Sequence, residues 1–299
     1  MKIVVTHMSP DWDAITSVWL LKKYLSGWQE AEVKFVPAGQ RFVNKDLGPT
    51  ITDPIEKVGG DEVIHVDTGL GPLDHHQIQD TSVCGASLTW DYVQSQFKQA
   101  HDVMTSEHTE AVSRIVKVVV DIDHFREVFW PDAASDIYEF SLLGLLEGLK
   151  YERQGQDKQA LEFGIQCLNA LVAEFENRIW AEREIKEKGS EFSTSFGKGI
   201  GFETLNDTVL KLAQKMGYVL VVRKDPRKGY IRIKTIPDRD GKKGIDLTSA
   251  YHQLSKMDPD ATWFLHVSKK MLLNGTPKNP KMVPTKLSLA QIIKVLEKI

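Results

Sequence analysis

The stretch that decides the fold is His65-Val66-Asp67-Thr68-Gly69-Leu70-Gly71-Pro72-Leu73-Asp74-His75-His76. Just ahead of it and overlapping its start, Asp61-Glu62-Val63-Ile64-His65-Val66 reads as a short buried strand that ends at Asp67. Gly69, Gly71 and Pro72 then favour a tight turn, which brings Asp74, His75 and His76 back beside the strand end. Four groups suited to metal binding (Asp67, Asp74, His75, His76) therefore fall within ten residues. Carboxylates and imidazoles at the carboxyl end of a strand lie where an open α/β sheet keeps its chemistry.

The N-terminal stretch repeats this arrangement. Residues 2–6 read as a strand ending at His7, and Met8-Ser9-Pro10 as a turn. Residues 14–25 carry Ile15, Val18, Trp19, Leu21 and Leu25 on a helical stripe, with Lys22 reaching past it to water. Asp11 and Asp13 stand at the helix start, where the dipole favours acidic groups. Capping accounts for one carboxylate; two of them plus His7 on one strand-to-helix turn exceed what capping requires.

Further along, Glu32-Val33-Lys34-Phe35-Val36-Pro37 reads as a second strand and residues 87–97 as a helix. His101 and His108 fall in a polar connection and read as solvated. In residues 113–124, Ile115, Val118, Val119 and Ile122 keep helical spacing, while the β-branched run suits a strand equally. Either way, Asp121 and Asp123 end a buried element. Residues 135–149 read as an apolar helix. Residues 157–188 read as one long helix, apolar early and charged late, which suits a connector. Beyond Gly189, helices are expected at 205–216, 247–257 and 287–299, and strands at 218–222, 230–235 and 262–267.

The 299 residues suffice for two domains, and 41% hydrophobic with 26% charged residues is ordinary for a soluble globular protein. No apolar run reaches the length of a membrane span, and Met1 leads directly into a strand pattern without a signal peptide. Cys84 and Cys167 lack metal-type spacing and read as reduced, buried thiols of a cytoplasmic protein. Charge is uneven: residues 1–150 carry 12 Lys and Arg against 23 Asp and Glu, a net of −11, whereas residues 195–299 carry 20 against 9, a net of +11. One lobe that holds cations and another that attracts an anionic substrate would look like this. The expected organisation is a catalytic metal-binding domain over 1–150, a helical linker over 151–194 and a basic α+β substrate-binding domain over 195–299.

Collected, the ligand candidates are His7, Asp11, Asp13, Asp67, His75 and one of Asp121 or Asp123. Oxygen and nitrogen donors without thiolate suit Mn²⁺ or Mg²⁺, with Co²⁺, Zn²⁺ and Fe²⁺ as further fits. Six protein ligands are too many for one open catalytic ion and suit a pair about 3.5–4 Å apart with a shared carboxylate. Such a pair lowers the pKa of a bridging water and holds a phosphoryl group for in-line attack.

In combination, His7-x3-Asp11-x-Asp13-Ala14, Asp67, Asp74-His75-His76 and Asp123 resemble the four motifs of the DHH phosphoesterase superfamily. Leu73-Asp74-His75-His76-Gln77, with Phe264-Leu265-His266-Val267-Ser268 and Asn274-Gly275-Thr276, is similar to the melanocyte-proliferating-gene family of metal-dependent nucleases. The resemblance implies an α/β fold, with a Rossmann-like parallel-sheet domain joined by a long helix to a smaller α+β domain. It implies two divalent ions, Mn²⁺ first, with His7 and Asp11 on one, Asp13, His75 and Asp123 on the other, and Asp67 bridging. His76 would donate to the substrate phosphate, with Asp74 orienting the histidine pair. The implied activity is phosphodiester hydrolysis of short oligonucleotides, RNA ends or related nucleotides by attack of a metal-bridging hydroxide. The partner would be a phosphorylated small molecule or short single-stranded nucleic acid, with no membrane; a homodimer stays open.

Three departures stand out. The first motif reads Pro10-Asp11-Trp12-Asp13 rather than the nuclease family's Phe-His-Cys-Asp-Glu, and Asp123-His124-Phe125 replaces Asp-Asn-Gly, so Asp121 remains a rival to Asp123. The Gly-Gly-Gly-His phosphate loop of many superfamily members is absent from the sequence, which leaves Arg232, His266, Ser268 and Lys269 as candidate substrate contacts. Ser268-Lys269-Lys270 faintly echoes the Ser-Arg-Lys-Lys motif of pyrophosphatases, so a pyrophosphatase or polyphosphatase is the alternative enzyme. A non-catalytic nucleotide-binding regulatory module is the alternative outside enzymes.

Overall fold

The computed structural model describes residues 1–43, 52–100, 104–239, 241, 244–276, 279 and 281–299; His101 lies outside them. The chain is a mixed α/β protein that divides into two compact units, Met1–Glu176 and Asn177–Ile299.

The first unit runs β1 (Lys2–His7), α1 (Trp12–Tyr24), β2 (Glu32–Val36), β3 (Glu56–Val58), β4 (Asp61–His65), α2 (Gly85–Ala100), α3 (Ser106–Asp123), α4 (Leu142–Glu152) and the start of α5 (Asp157–Lys188). Its sheet has the order β2-β1-β4-β3. β1 is parallel to both β2 and β4, and β3 adds an antiparallel edge. Ile3, Val4 and Val5 are buried on both faces of the sheet, as a central parallel strand requires. The chain passes from one side of β1 (β2) to the other (β4), so a crevice opens between the carboxyl ends of β1 and β4. His7 and Asp67 stand at those two ends.

α1 is buried from Trp12 to Leu21, more completely than its one-sided stripe suggests. The ambiguous segment ending at Asp123 is helical. Thr105 caps α3, and Val112, Ile115, Val116, Val119 and Val120 enter the core with Trp90, Leu161 and Leu168. The helix expected over 135–149 begins only at Leu142, after an extended Ser141, and turns occupy much of the segment before it. His108 is not solvated: its Nδ1 pairs with Glu176 at 2.7 Å and its Nε2 with the Tyr24 hydroxyl at 3.0 Å. Cys84 is buried, but Cys167 is only half-buried.

α5 runs through the division between units, so the long helix is shared rather than a free-standing linker over 151–194. Its charged second half still buries Ile179, Ala181 and Ile185, the last two in a cluster with Ile200, Phe202 and Leu210. The second unit continues with β5 (Ser190–Thr194), β6 (Gly197–Glu203), α6 (Thr208–Lys215), β7 (Leu220–Lys224), β8 (Ile231–Thr235), α7 (Thr248–Met257), β9 (Trp263–Leu265), β10 (Met271–Asn274) and α8 (Leu289–Leu296). These strands form a six-stranded sheet, β5-β6-β7-β8-β10-β9, parallel only between β6 and β7. Among the described residues no helix is long and apolar enough to cross a membrane.

Candidate metal centre

The loop after β4 is wound tightly. Asp67, Gly69 and Leu70 all have positive φ, at 51°, 79° and 52°. Several bonds hold this shape: Asp67 N–H to Leu73 O at 3.0 Å, Leu70 N–H to Asp74 Oδ2 at 2.7 Å and Arg41 Nη1 to Gly69 O at 2.6 Å. The turn thus delivers His75 back to Asp67, with His75 Nε2 lying 3.5 Å from Asp67 Oδ1.

Four more side chains converge there. His75 Nε2 is 3.5 Å from Asp123 Oδ2 and 3.6 Å from Asp13 Oδ2. On the other side of Asp67, its Oδ2 is 3.1 Å from His7 Nε2, which lies 3.8 Å from Asp11 Oδ2. Asp67 therefore stands between two groups of donors, His7 with Asp11 and His75 with Asp13 and Asp123. Asp121 points elsewhere and pairs with Arg126 at 2.8 Å.

The electrostatics are those of a site short of positive charge. Burial works against a charged His7, but Asp67 and then Asp11 raise its pKa to about 9. Asp67 raises His75 to about 9, against burial and with help from Asp123 and Asp13. Burial, then Asp67 and Asp123, push Asp13 well above the ordinary carboxylate value. Burial likewise raises Asp123, partly offset by His75.

The donor set fits a divalent ion on an independent observation. Asp67 Oδ1, His75 Nε2 and Asp123 Oδ2 are buried, yet each has no hydrogen-bond partner among the described residues. Buried polar atoms are nearly always satisfied, so three orphans facing one another call for a shared partner. The His7 tautomer agrees: Nδ1–H donates to the Met8 carbonyl at 2.9 Å, which leaves Nε2 as the donor atom for an ion.

No family model matches the chain, and no curated protein matches it.

The remaining residues divide by role. Asp74 is fully buried and, of the two histidines, bonds to His76, accepting from its Nδ1 at 2.6 Å and its backbone N–H at 3.1 Å. The expectation that Asp74 orients both histidines is therefore narrowed to one. His76 is the exposed member, and the bond to Asp74 leaves its Nε2 free for a ligand. Above these groups lies a cleft of about 720 Å³, walled by Asp11, Asp13, His75, His76 and Asp123 and also by Glu127, Trp130 and Tyr138.

His124 and Gly85 also border the site. His124 Nε2 lies 3.8 Å from Asp123 Oδ2, but its N–H donates to the Val83 carbonyl at 2.8 Å. That nitrogen carries the proton it donates and has no lone pair for an ion, and His124 also lines the cleft. Gly85 opens α2 and presents its backbone N–H to Asp13; no local sequence pattern marks it.

The four substrate contacts expected in the second unit have partners of their own there. Arg232 pairs with Asp207, which also holds the buried Arg223 at 2.6 Å. His266 and Ser268 meet in the turn between β9 and β10, Nδ1 to Oγ at 2.8 Å. Lys269, at φ 59°, pairs with Asp246 at 3.3 Å.

Proposed function

We propose that the first unit is the catalytic part of a metal-dependent phosphoesterase of the DHH type, which hydrolyses phosphodiester bonds in short oligonucleotides or related nucleotides. The observation that carries this reading is the convergence of Asp67 Oδ1, His75 Nε2 and Asp123 Oδ2, buried and without hydrogen-bond partners among the described residues, at the switch point between the parallel strands β1 and β4. His7 and Asp11 would hold one divalent ion, Asp13, His75 and Asp123 a second, and Asp67 both. Mn²⁺ suits these donors best, with Mg²⁺ or Co²⁺ as alternatives. A pair of such ions supplies charge stabilisation at the phosphoryl oxygens and lowers the pKa of a water.

The chain's own groups then have separable tasks. The Met8 carbonyl fixes the His7 tautomer, and the N-terminus of α2 holds Asp13. Asp74 aims His76, whose free Nε2 would contact the phosphate or the leaving oxygen. The net charge of +11 over residues 195–299 suits an anionic substrate. The pyrophosphatase reading is weaker, because Lys269 and Lys270 of its echo motif are already paired with Asp246 and Asp238.

The test is hydrolysis of a short single-stranded RNA with Mn²⁺ by wild type and Asp67→Ala. The expected result is metal-dependent cleavage, reduced by about 100-fold or more in the variant. Equal, metal-independent cleavage by both proteins would sink the reading.

A further inference from the structure

One face of the sheet in the second unit is covered over only part of its width. Register fixes which side chains share that face, because residues directly opposite each other point the same way. Phe264 stands opposite Leu273, Leu273 opposite Arg232, and Arg232 opposite Arg223. These four therefore form one row across β9, β10, β8 and β7. The adjacent row, Leu265-Leu272-Ile233-Val222, points the other way, into the core that α7 and α8 complete with Ala250, Leu254 and Ile292. On the Arg223 side, α6 packs over β7 through Val209, Leu210 and Val221. Among the described residues, neither Phe264 nor Leu273 joins a hydrophobic cluster. Phe264 is 49% exposed.

A group of cations stands on the same face. Lys234 follows Arg232 by two residues on β8 and so points the same way. Arg232 shares one carboxylate, Asp207, with the buried Arg223. Asp225 lies nearby, but its carboxylate accepts the backbone N–H groups of Arg227 and Lys228 at 2.8 and 2.9 Å. Among the described residues, Lys234 and Lys211 of α6 have no ion-pair partner. Burial, and then the Arg232 and Lys211 charges, lower the Lys234 pKa. Like charges held together without a counter-charge favour an anion among them.

Ring and cations are spaced as a nucleotide chain needs. Two strand spacings, roughly 10 Å, separate Phe264 from Arg232. That is the reach from a base to a neighbouring backbone phosphate. A free phosphate has no use for the ring, and a duplex keeps its bases stacked on one another. A single strand uses both features.

We propose that the open face of β8, β10 and β9 binds a single-stranded oligonucleotide, with a base stacked on Phe264 and backbone phosphates against Arg232, Lys234 and Lys211. This inference rests on the oligonucleotide reading and gives the second unit a contact surface for the strand.

The experiment is fluorescence anisotropy of the full-length chain with a labelled single-stranded RNA of about eight nucleotides, with a chelator present so that no bond is cut. Phe264→Leu keeps an apolar side chain at an exposed position but removes the ring, and should weaken binding about tenfold. Phe264→Trp restores a ring and should bind at least as tightly as wild type. Lys234→Gln and Lys211→Gln should each weaken binding about two- to fivefold and make its salt dependence shallower by about 0.7 in log–log slope. A duplex of the same length should bind more weakly and should not respond to Phe264→Leu. Wild-type affinity in Phe264→Leu, an equal loss in Phe264→Trp, an unchanged salt slope in both lysine variants, or no binding of the single strand overturns the proposal. The readout is independent of turnover. Ring-dependent binding without Mn²⁺-dependent cleavage therefore counts against the catalytic reading alone, and cleavage with ring-independent binding counts against the sheet face alone.

Discussion

The Asp13 carboxylate accepts the backbone N–H of Gly85 at 2.7 Å, so the first turn of α2 docks on a side chain that also lies 3.6 Å from His75 Nε2. A Cβ at residue 85 would meet Asp13 Oδ2 and the Asp67 Cβ at 3.0 Å each. Both carboxylates are buried and neither can swing away. Gly85→Ala should therefore destabilise the protein by roughly 1–3 kcal/mol, the cost of overpacking. It should also weaken Mn²⁺ binding, because Asp13 and Asp67 shift together. Urea unfolding and metal titration check this; a variant as stable as wild type would show that the helix simply moves back.

Asp121 and Asp123 lie two residues apart on one helix and separate cleanly in role. Asp123 Oδ2 is 3.5 Å from His75 Nε2, whereas Asp121 is part-exposed and paired with Arg126. Asp123→Asn should lower Mn²⁺ affinity by about tenfold or more. Asp121→Asn should leave it within about twofold and change stability by less than about 1 kcal/mol, as expected for a surface ion pair. Titration calorimetry on the two variants distinguishes them, and the reverse order would reassign the ligand.

Metal binding should release protons at neutral pH. His7 and His75 both titrate at about 9 in the metal-free chain, so both rings are charged at pH 7. An ion needs the deprotonated nitrogen, so it must displace those protons. Each proton displaced makes affinity rise about tenfold per pH unit below the pKa. The apparent Mn²⁺ affinity should climb by roughly 10- to 100-fold between pH 7 and 8 and level off above about 9. Calorimetry in buffers of different ionisation enthalpy reads the proton count directly. A flat profile would mean the rings are not the ligands.

How much of this was legible in the sequence follows from how local each signal is. The strand ending at His65, the turn at Gly69-Leu70-Gly71 and the Asp74-His75-His76 return are short-range, and their pattern carries them. The segment ending at Asp123 was ambiguous because its β-branched run suits strand or helix; packing on α1 and α2 decides it. β6 was missed because Gly197-Lys198-Gly199-Ile200-Gly201 is a poor strand by composition. Gly201 fits there because its missing side chain leaves room for Ile293 and Leu289, from the far end of the chain. The same holds for Gly85 and His108, whose roles depend on Asp13 and Glu176. What tertiary contact alone defines, a local pattern does not carry.

His65 should make the fold acid-sensitive above the usual carboxylate range. Its Nδ1–H donates to Glu56 at 3.1 Å and its Nε2 accepts the Phe42 backbone N–H at 3.1 Å, so a second proton has no place to go. Burial, and then the Arg41 charge, lower its pKa to about 4. An unfolded histidine titrates near 6.5, so between about pH 4 and 6.5 the unfolded chain binds the extra proton. Stability from this residue is therefore fully present above about 6.5 and is lost as pH falls toward 4, by roughly 3 kcal/mol in all. Urea midpoints at pH 7, 6 and 5, taken with a chelator present, should fall more steeply for wild type than for His65→Gln. The variant starts less stable at pH 7, because it loses the fit to Glu56 and Phe42, and the gap should narrow on acidification. Parallel pH profiles for the two proteins would place the acid sensitivity elsewhere, in the carboxylates around Asp67.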